Sequence, residues 1–266
     1  MNIITVIPAR MGSTRFPGKP LAKIHGIPMI GHVYFRSAQS KNSGEVYIAT
    51  CDQEIFDYAK TINAPCVMTS DRHERCSDRT AEAMLKIEAE TGKKVDVVIM
   101  VQGDEPMITP EMLDKAVEPL FQDASLQIVN LMSDCETLED FEDPNEVKVV
   151  INKNHEALYF SREPIPSRKK GVLKVPMYKQ VCVIPFRRQA LLDFNATAPT
   201  PLEIIESVDM LRIIENGGKV QMVYVTDQTY SVDTPEDLKL VIERMSSDEN
   251  IKNMRSYFDV CQTESV

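Results

Sequence analysis

The chain has 266 residues, a formal net charge of -10 at pH 7, 43% hydrophobic and 26% charged residues, and no tryptophan. That length is compatible with one large α/β domain or two small ones, and an ordinary composition without low-complexity segments excludes a disordered chain. The acidic balance argues against a nucleic-acid partner, so a local basic cluster is read as neutralising a small anion.

The apolar run at residues 3–9 is too short for a signal-peptide core, and no run of about 18 apolar residues could span a membrane. A cytoplasmic location without membrane association is the expectation. The six cysteines (Cys51, Cys66, Cys76, Cys135, Cys182, Cys261) are scattered without CxxC spacing, which predicts reduced, mostly buried thiols rather than a zinc or redox motif.

Taken in order, IITVIPA predicts a strand, residues 29–40 a helix, EVYIATC a strand and residues 53–62 a helix, each helix with apolar residues three or four apart. A helix over 78–90, with Ser77 as its N-cap, precedes the strand VDVVIMVQGD. This alternation predicts a mostly parallel sheet buried on both faces. In the second half, VKVVINK, ALYFSR and MYKQVCVIPF read as strands whose connections are too short for crossover helices, predicting an antiparallel α+β insertion. Helices are predicted at 201–216 and 234–245, the latter with Pro235 in its first turn, and KVQMVYVT is a strand between them. With no repeat and no linker-like stretch, a single domain over 1–266 is expected, carrying a subregion at about 135–200. The polar tail after Ser246 is expected to fray.

The stretch IPARMGSTRFPGKPL sets Arg10, Arg15 and Lys19 among glycines and prolines directly after the first strand. Such a loop lies at the carboxyl edge of the sheet, where open α/β folds bind ligands, and its backbone N–H groups and cations suit a polyphosphate. Its glycine spacing matches neither a Walker motif nor GxGxxG. A solvated surface loop is the competing reading.

Asp104, in VQGDEPMI, follows the strongest apolar run, and Asp233 follows KVQMVYVT and SV before a Pro-started helix. Two carboxylates at neighbouring strand ends facing a triphosphate suit Mg²⁺. Alternatively, Asp104 shapes a turn and Asp233 caps the helix.

The order and spacing of IPARMGSTRFPGKPL, VQGDEPMI, EVKVV, ALYFSREPIP, TPLEIIESVDMLRIIENGGKV and SVDTPEDL resemble those of the CMP-sugar-acid synthetases, most closely the CMP-Kdo synthetase (3-deoxy-manno-octulosonate cytidylyltransferase) family. The resemblance implies a Rossmann-like sheet of the nucleotide-diphospho-sugar transferase type. It also implies CMP transfer from CTP to the anomeric hydroxyl of a ulosonic acid, with Mg²⁺, release of pyrophosphate, and a homodimer built through the second-half insertion. Lys19, Asp104 and Asp233 then become the catalytic group, with Asp104 and Asp233 holding the metal. Arg10, Ser13, Arg15, Lys19 and His73 serve the nucleotide, and Gln102, Arg162, Gln180 and Glu206 serve the anionic sugar acid. For Arg162 a fold-supporting ion pair is the alternative, and for Glu203, three residues before Glu206, a solvated helix start; Arg212 reads as structural or as a subunit contact.

The chain departs from the family in two places. In KQVCVIPF, Gln180 stands where the family has histidine, and Cys182, Val183 and Ile184 replace Gly-Ile-Tyr. In DRHERCSDR, Arg75, Cys76 and Ser77 replace Ser-Gly-Thr while His73 and Arg79 are kept. A different small acid as acceptor (another ulosonic acid or a phosphonate), or a catalytically silent nucleotide-binding homologue, are the alternatives.

Overall fold

Apolar runs rich in Val and Ile, buried at nearly every position of the inner strands, build the first sheet, because a strand covered on both faces has no solvent side to fill with polar residues. In the computed structural model, which describes residues 1–171, 174–247 and 251, these runs are β1 (Ile3–Ala9), β4 (Glu45–Thr50), β5 (Cys66–Met68) and β6 (Val97–Val101), with a small hairpin of β2 (Lys23–Ile24) and β3 (Ile27–Pro28) after the first loop. They belong to the first of two compact units, formed by Met1–Asp114 and the chain from Thr229 onward; Lys115–Gln228 form the second.

In the first unit the strands run in the order β6-β1-β4-β5, all parallel, with β1 central. The connecting helices are α1 (Met29–Ala38), α2 (Gln53–Thr61) and α3 (Cys76–Thr91). All of α1 but its last residue is buried, so this helix belongs to the core rather than the surface. The parallel α/β sheet expected from the sequence is thus present.

The chain enters the second unit along α4 (Pro110–Gln122). There β7 (Val129–Asp134), α5 (Leu138–Glu142), β8 (Lys148–Ile151), β9 (Ala157–Ser161), β10 (Tyr178–Val181), β11 (Val183–Arg187), α6 (Arg188–Ala196), α7 (Pro201–Glu206), α8 (Leu211–Glu215) and β12 (Gln221–Tyr224) follow. A sheet of order β12-β7-β10-β8-β9 is antiparallel except where β12 lies parallel to β7. The antiparallel insertion is as expected. The strand expected from MYKQVCVIPF divides at Cys182 into β10 and β11; buried Asn130 Nδ2 donates to the Val181 carbonyl at 2.7 Å there.

Three local expectations are corrected. Ser77 does not cap α3: the helix starts one residue earlier at Cys76, Arg75 is its N-cap, and Ser77 is buried in the first turn. The single helix expected over 201–216 is two, because Ser207 adopts a left-handed conformation (φ 53°) that ends α7. That break brings Glu203 and Arg212 together, Arg212 Nη2 lying 2.6 Å from Glu203 Oε1. In one continuous helix, residues nine apart would sit about 13 Å apart along the axis. Finally, Asp233 does not cap the last helix, α9 (Pro235–Arg244). Thr234 does, in a capping box with Asp237.

The described cysteines are free thiols, of which only Cys135 is buried. The expectation of mostly buried thiols fails because Cys51, Cys66, Cys76 and Cys182 lie at half-buried positions. Cys261 and the tail beyond Ser247, apart from Ile251, lie outside the described residues. No described helix is long and apolar enough to cross a membrane.

Candidate functional site

The first loop is shaped by its own backbone. Ser13 N and Gly18 N both donate to the Met11 carbonyl, at 2.9 and 3.1 Å, and Met11 N donates to Asp52 Oδ2 at 2.8 Å. Gly18 sits at φ 75°, where a side chain is strained, and lets the chain turn into a short 3-10 turn at Lys19–Leu21. Phe16 anchors the loop from below, packed against a buried cluster that includes Ile24, Met29, Tyr230, Val232 and Val241. The second contribution comes from the turn after β6. Gly103 allows it to approach β1, since a Cβ there would lie 3.0 Å from the Pro8 carbonyl oxygen and 3.1 Å from Ile30.

These elements surround a cavity of about 270 Å³ in the first unit. Its lining includes Arg10, Ser13, Arg15, Lys19, His73, Gln102, Asp104 and Asp233, eight residues singled out in the sequence and drawn from four separate stretches of chain. Thr14, Glu74, Arg75, Cys76 and Arg79 line it too. In the sequence Arg79 is noted only as a position where the family pattern is kept and is given no ligand, because an arginine in the first turn of a helix ordinarily faces solvent.

Lys19 is the hub. Its Nζ lies 2.7 Å from Asp104 Oδ2 and 3.3 Å from Asp233 Oδ1, and Arg15 Nη2 reaches Asp233 Oδ1 at 2.9 Å. Burial by itself lowers the Lys19 pKa; the two carboxylates outweigh it, so the pKa is raised above its ordinary value and the side chain is a cation throughout the neutral range. His73 is bound to Glu82, which also accepts from Ser70 N at 2.9 Å and pairs with Lys86 at 2.7 Å.

Asp104 Oδ1 is buried and has no hydrogen-bond partner in the protein, which is costly unless a donor or cation meets it. Asp104 and Asp233 are therefore the pair able to hold a hard divalent cation. Among the described residues no group of three or more His, Cys, Asp or Glu could do so. Two carboxylates suffice for Mg²⁺, which takes its other ligands from phosphate and water.

The other three sequence-derived acceptor residues belong to the second unit. Arg162 and Glu206 are bonded to one another: Arg162 N donates to Glu206 Oε2 at 2.8 Å and Arg162 Nε to the Glu206 carbonyl at 2.7 Å. Glu206 also accepts from Ser161 Oγ at 2.8 Å, and Arg162 Nη1 donates to the Pro144 carbonyl at 2.7 Å. The Arg162 guanidinium thus bonds backbone carbonyls, and only its backbone N–H meets the Glu206 carboxylate, so no ion pair forms between the two side chains. Gln180 is not part of that network; its Nε2 donates to Asn130 Oδ1 at 2.5 Å. Glu203 is fully buried against Arg212, which removes the solvated-helix-start reading and makes Arg212 structural.

Asp104 stands in the turn after β6, but Asp233 is not at a strand end as expected: β12 belongs to the other sheet, and Asp233 lies just before α9. A parallel α/β sheet with a basic loop after β1 and these two carboxylates beside it has the make-up of a nucleotidyltransferase. The family model described as cytidylyltransferase matches residues 4–239. The 3-deoxy-manno-octulosonate cytidylyltransferase of Geobacter metallireducens is 43% identical over 256 residues, covering 92% of this chain and 98% of that protein. That of Pelobacter propionicus is also 43% identical, with 92% and 97% covered. A solved structure of CMP:2-keto-3-deoxy-manno-octonic acid synthetase complexed with CTP is 34% identical and superposes with a TM-score of 0.84, covering 93% of this chain and 100% of that one. The chain belongs to the 3-deoxy-manno-octulosonate cytidylyltransferase family.

Proposed function

We propose that the protein transfers CMP from CTP to the anomeric hydroxyl of 3-deoxy-manno-octulosonate or a close analogue, releasing pyrophosphate in a Mg²⁺-dependent reaction. The observation that carries this reading is the Lys19–Asp104–Asp233 cluster beside the basic loop, in a chain 43% identical to enzymes of that name. In the reaction the hydroxyl oxygen bonds to the α-phosphorus, the α–β phosphoanhydride bond breaks, pyrophosphate leaves and the hydroxyl proton is released.

The obstacle is charge, because an anionic sugar acid must approach a triphosphate. Arg10, Arg15 and Lys19 neutralise the phosphates, and Ser13 donates to a phosphate oxygen. Gln102, beside Asp104, and His73 orient the bound molecules. Asp104 and Asp233 hold Mg²⁺, which when bound withdraws charge from the phosphoryl oxygens. Arg162 and Glu206 form the acceptor contacts of the second unit. A homodimer through that unit is part of the reading. Leu158 on the edge strand β9, and Ile204 and Ile205 on α7, are 55%, 63% and 75% exposed, on elements joined by Glu206. A cytoplasmic location, where CTP is made and held, belongs to it as well.

A different ulosonic acid is the second reading, favoured by Gln180, whose side chain is turned onto Asn130. An acceptor screen by pyrophosphate release separates the two. Turnover with 3-deoxy-manno-octulosonate, CTP and Mg²⁺ supports the first, turnover with another acid alone supports the second, and CTP binding without turnover on any acid marks a silent homologue.

A further inference from the structure

Cys76 opens α3 and lines the cavity of the first unit as a half-buried thiol outside any disulfide. Its surroundings are basic. Arginine and lysine outnumber carboxylates in that lining, and Arg75 and Arg79 are among them. Arg75, the N-cap of α3, makes no side-chain capping bond, and Asp78 is the acidic residue of the first turn. Adjacent cations and a helix N-terminus both favour the thiolate, which is the form of cysteine that attacks.

The other described thiols lack one or another of these conditions. Burial pushes the Cys66 thiol up to about 12 and the Cys135 thiol up to about 11, which keeps both protonated. Cys51 and Cys182 are half-buried like Cys76 but do not line the cavity.

The same end of the cavity is built to take up a group from outside. Arg79 is 3% exposed and lines it. Its Nη1 donates to Thr69 Oγ1 and, at 3.3 Å, to the Ser70 carbonyl, whereas buried Nη2 has no partner in the protein. A buried guanidinium nitrogen without an acceptor is costly. Positions 76 and 79 are three apart in one helix and so neighbours on its surface. A molecule joined to the thiol through sulfur can therefore bring an attached carboxylate to the unpaired nitrogen.

We propose that Cys76 is a modification site at which a small anionic disulfide exchanges, and that the mixed disulfide closes the cavity until a free thiol removes it. Cys76 gives its proton to water, and its thiolate attacks one sulfur of the disulfide. A bond from Cys76 to that sulfur forms, the original S–S bond breaks, and the second sulfur leaves as a thiolate. The linked group then occupies the cavity of about 270 Å³ that the nucleotide needs. Only the loss of turnover rests on the reading of the cavity as a CTP site; the reactivity of Cys76 does not.

The test treats the whole chain at neutral pH with dithiobis-nitrobenzoate, an anionic aromatic disulfide, and with oxidised glutathione, and follows each cysteine by peptide mass spectrometry. Cys76 is expected to react at least about tenfold faster than Cys51 or Cys182, as cations holding a thiol in its ionised form require. Cys66 and Cys135 are expected to react only after unfolding. Pyrophosphate release should fall in proportion to the Cys76 labelled, return with dithiothreitol, and be protected by CTP added first. Cys76→Ala is expected to keep its own untreated rate through the same treatment. Cys76 reacting no faster than Cys51 and Cys182 would overturn the site, as would an equal loss of turnover in treated Cys76→Ala. Rapid labelling of Cys76 with turnover unchanged would overturn the closure. Should the variant not fold, the wild-type correlation of Cys76 labelling with activity decides. If the untreated protein neither binds CTP nor turns it over, the CTP reading falls, whereas the labelling rates decide the Cys76 site regardless.

Discussion

Lys19 Nζ lies 2.7 Å from Asp104 Oδ2, across 85 residues of sequence. One residue comes from the basic loop and the other from the turn after β6, so the parallel pairing of β1 with β6 brings them together. The cation proposed to meet phosphate is also the group that neutralises the proposed metal carboxylates. A metal ion and a triphosphate would divide that pair between them, each cation going to phosphate and each carboxylate to metal.

Lys19→Ala is expected to lower kcat/KM for CTP by about two to three orders of magnitude, the loss typical of removing one charge-stabilising donor. The KM for the acceptor should move far less. Steady-state pyrophosphate release with each substrate varied checks this, and a change confined to acceptor KM would misplace the phosphate site.

Asp104→Asn and Asp233→Asn keep the shape of the site and remove its anionic charge. Each is expected to abolish Mg²⁺-dependent turnover to at least about a hundredfold below wild type, since the ion then loses half its protein ligands. Turnover near wild type at ordinary Mg²⁺ concentrations would remove the metal assignment from that residue.

The Glu203–Arg212 pair is buried, and Arg212 also donates to the Phe194 and Thr197 carbonyls at 3.0 Å. Breaking it by Glu203→Gln or by Arg212→Leu leaves a buried charge without its partner, at a cost of about 3–5 kcal/mol. The double substitution Glu203→Leu with Arg212→Leu is expected to cost less than the sum of Glu203→Leu and Arg212→Leu measured singly. Urea unfolding midpoints measure all of these.

Burial raises the Glu82 carboxyl pKa, but Lys86, the Ser70 N–H and His73 together overcome it and bring the value to about 2. The unfolded value is about 4.3. Because the folded pKa is the lower, the group stabilises the fold above the unfolded value, and this contribution is lost as pH falls between about 4.3 and 2. A carboxyl-carbon NMR titration should show a midpoint near 2, and Glu82→Gln should flatten stability over that interval. A midpoint near 4 would show that the network does not hold in solution.

Much of this was legible in the chain. Unbroken Val and Ile runs such as VDVVIMV predict a doubly covered parallel sheet, and that pattern survives because strand burial is a local property of the sequence. The basic loop was legible for the same reason, since its cations and glycines are neighbours in sequence. The end of the long helix at Ser207 was not. No proline or glycine marks it, and it is the inward pull of the Glu203–Arg212 pair that accompanies the turn. The cap of α9 was misjudged by one residue, from Asp233 to Thr234, although the Thr-Pro-Glu-Asp spacing of a capping box stands in the sequence.

By itself, then, the sequence determined the sheet and singled out the basic loop and the two aspartates that line one cavity, because each depends on residue types within a few positions of one another. Only the tertiary structure decided that Lys19 joins both aspartates, that Glu206 is held by Arg162, and that Arg79 is buried at the cavity with one nitrogen unpaired. Those relationships arise from which strand ends meet and which side chains lose water, and neither can be read from spacing along the chain.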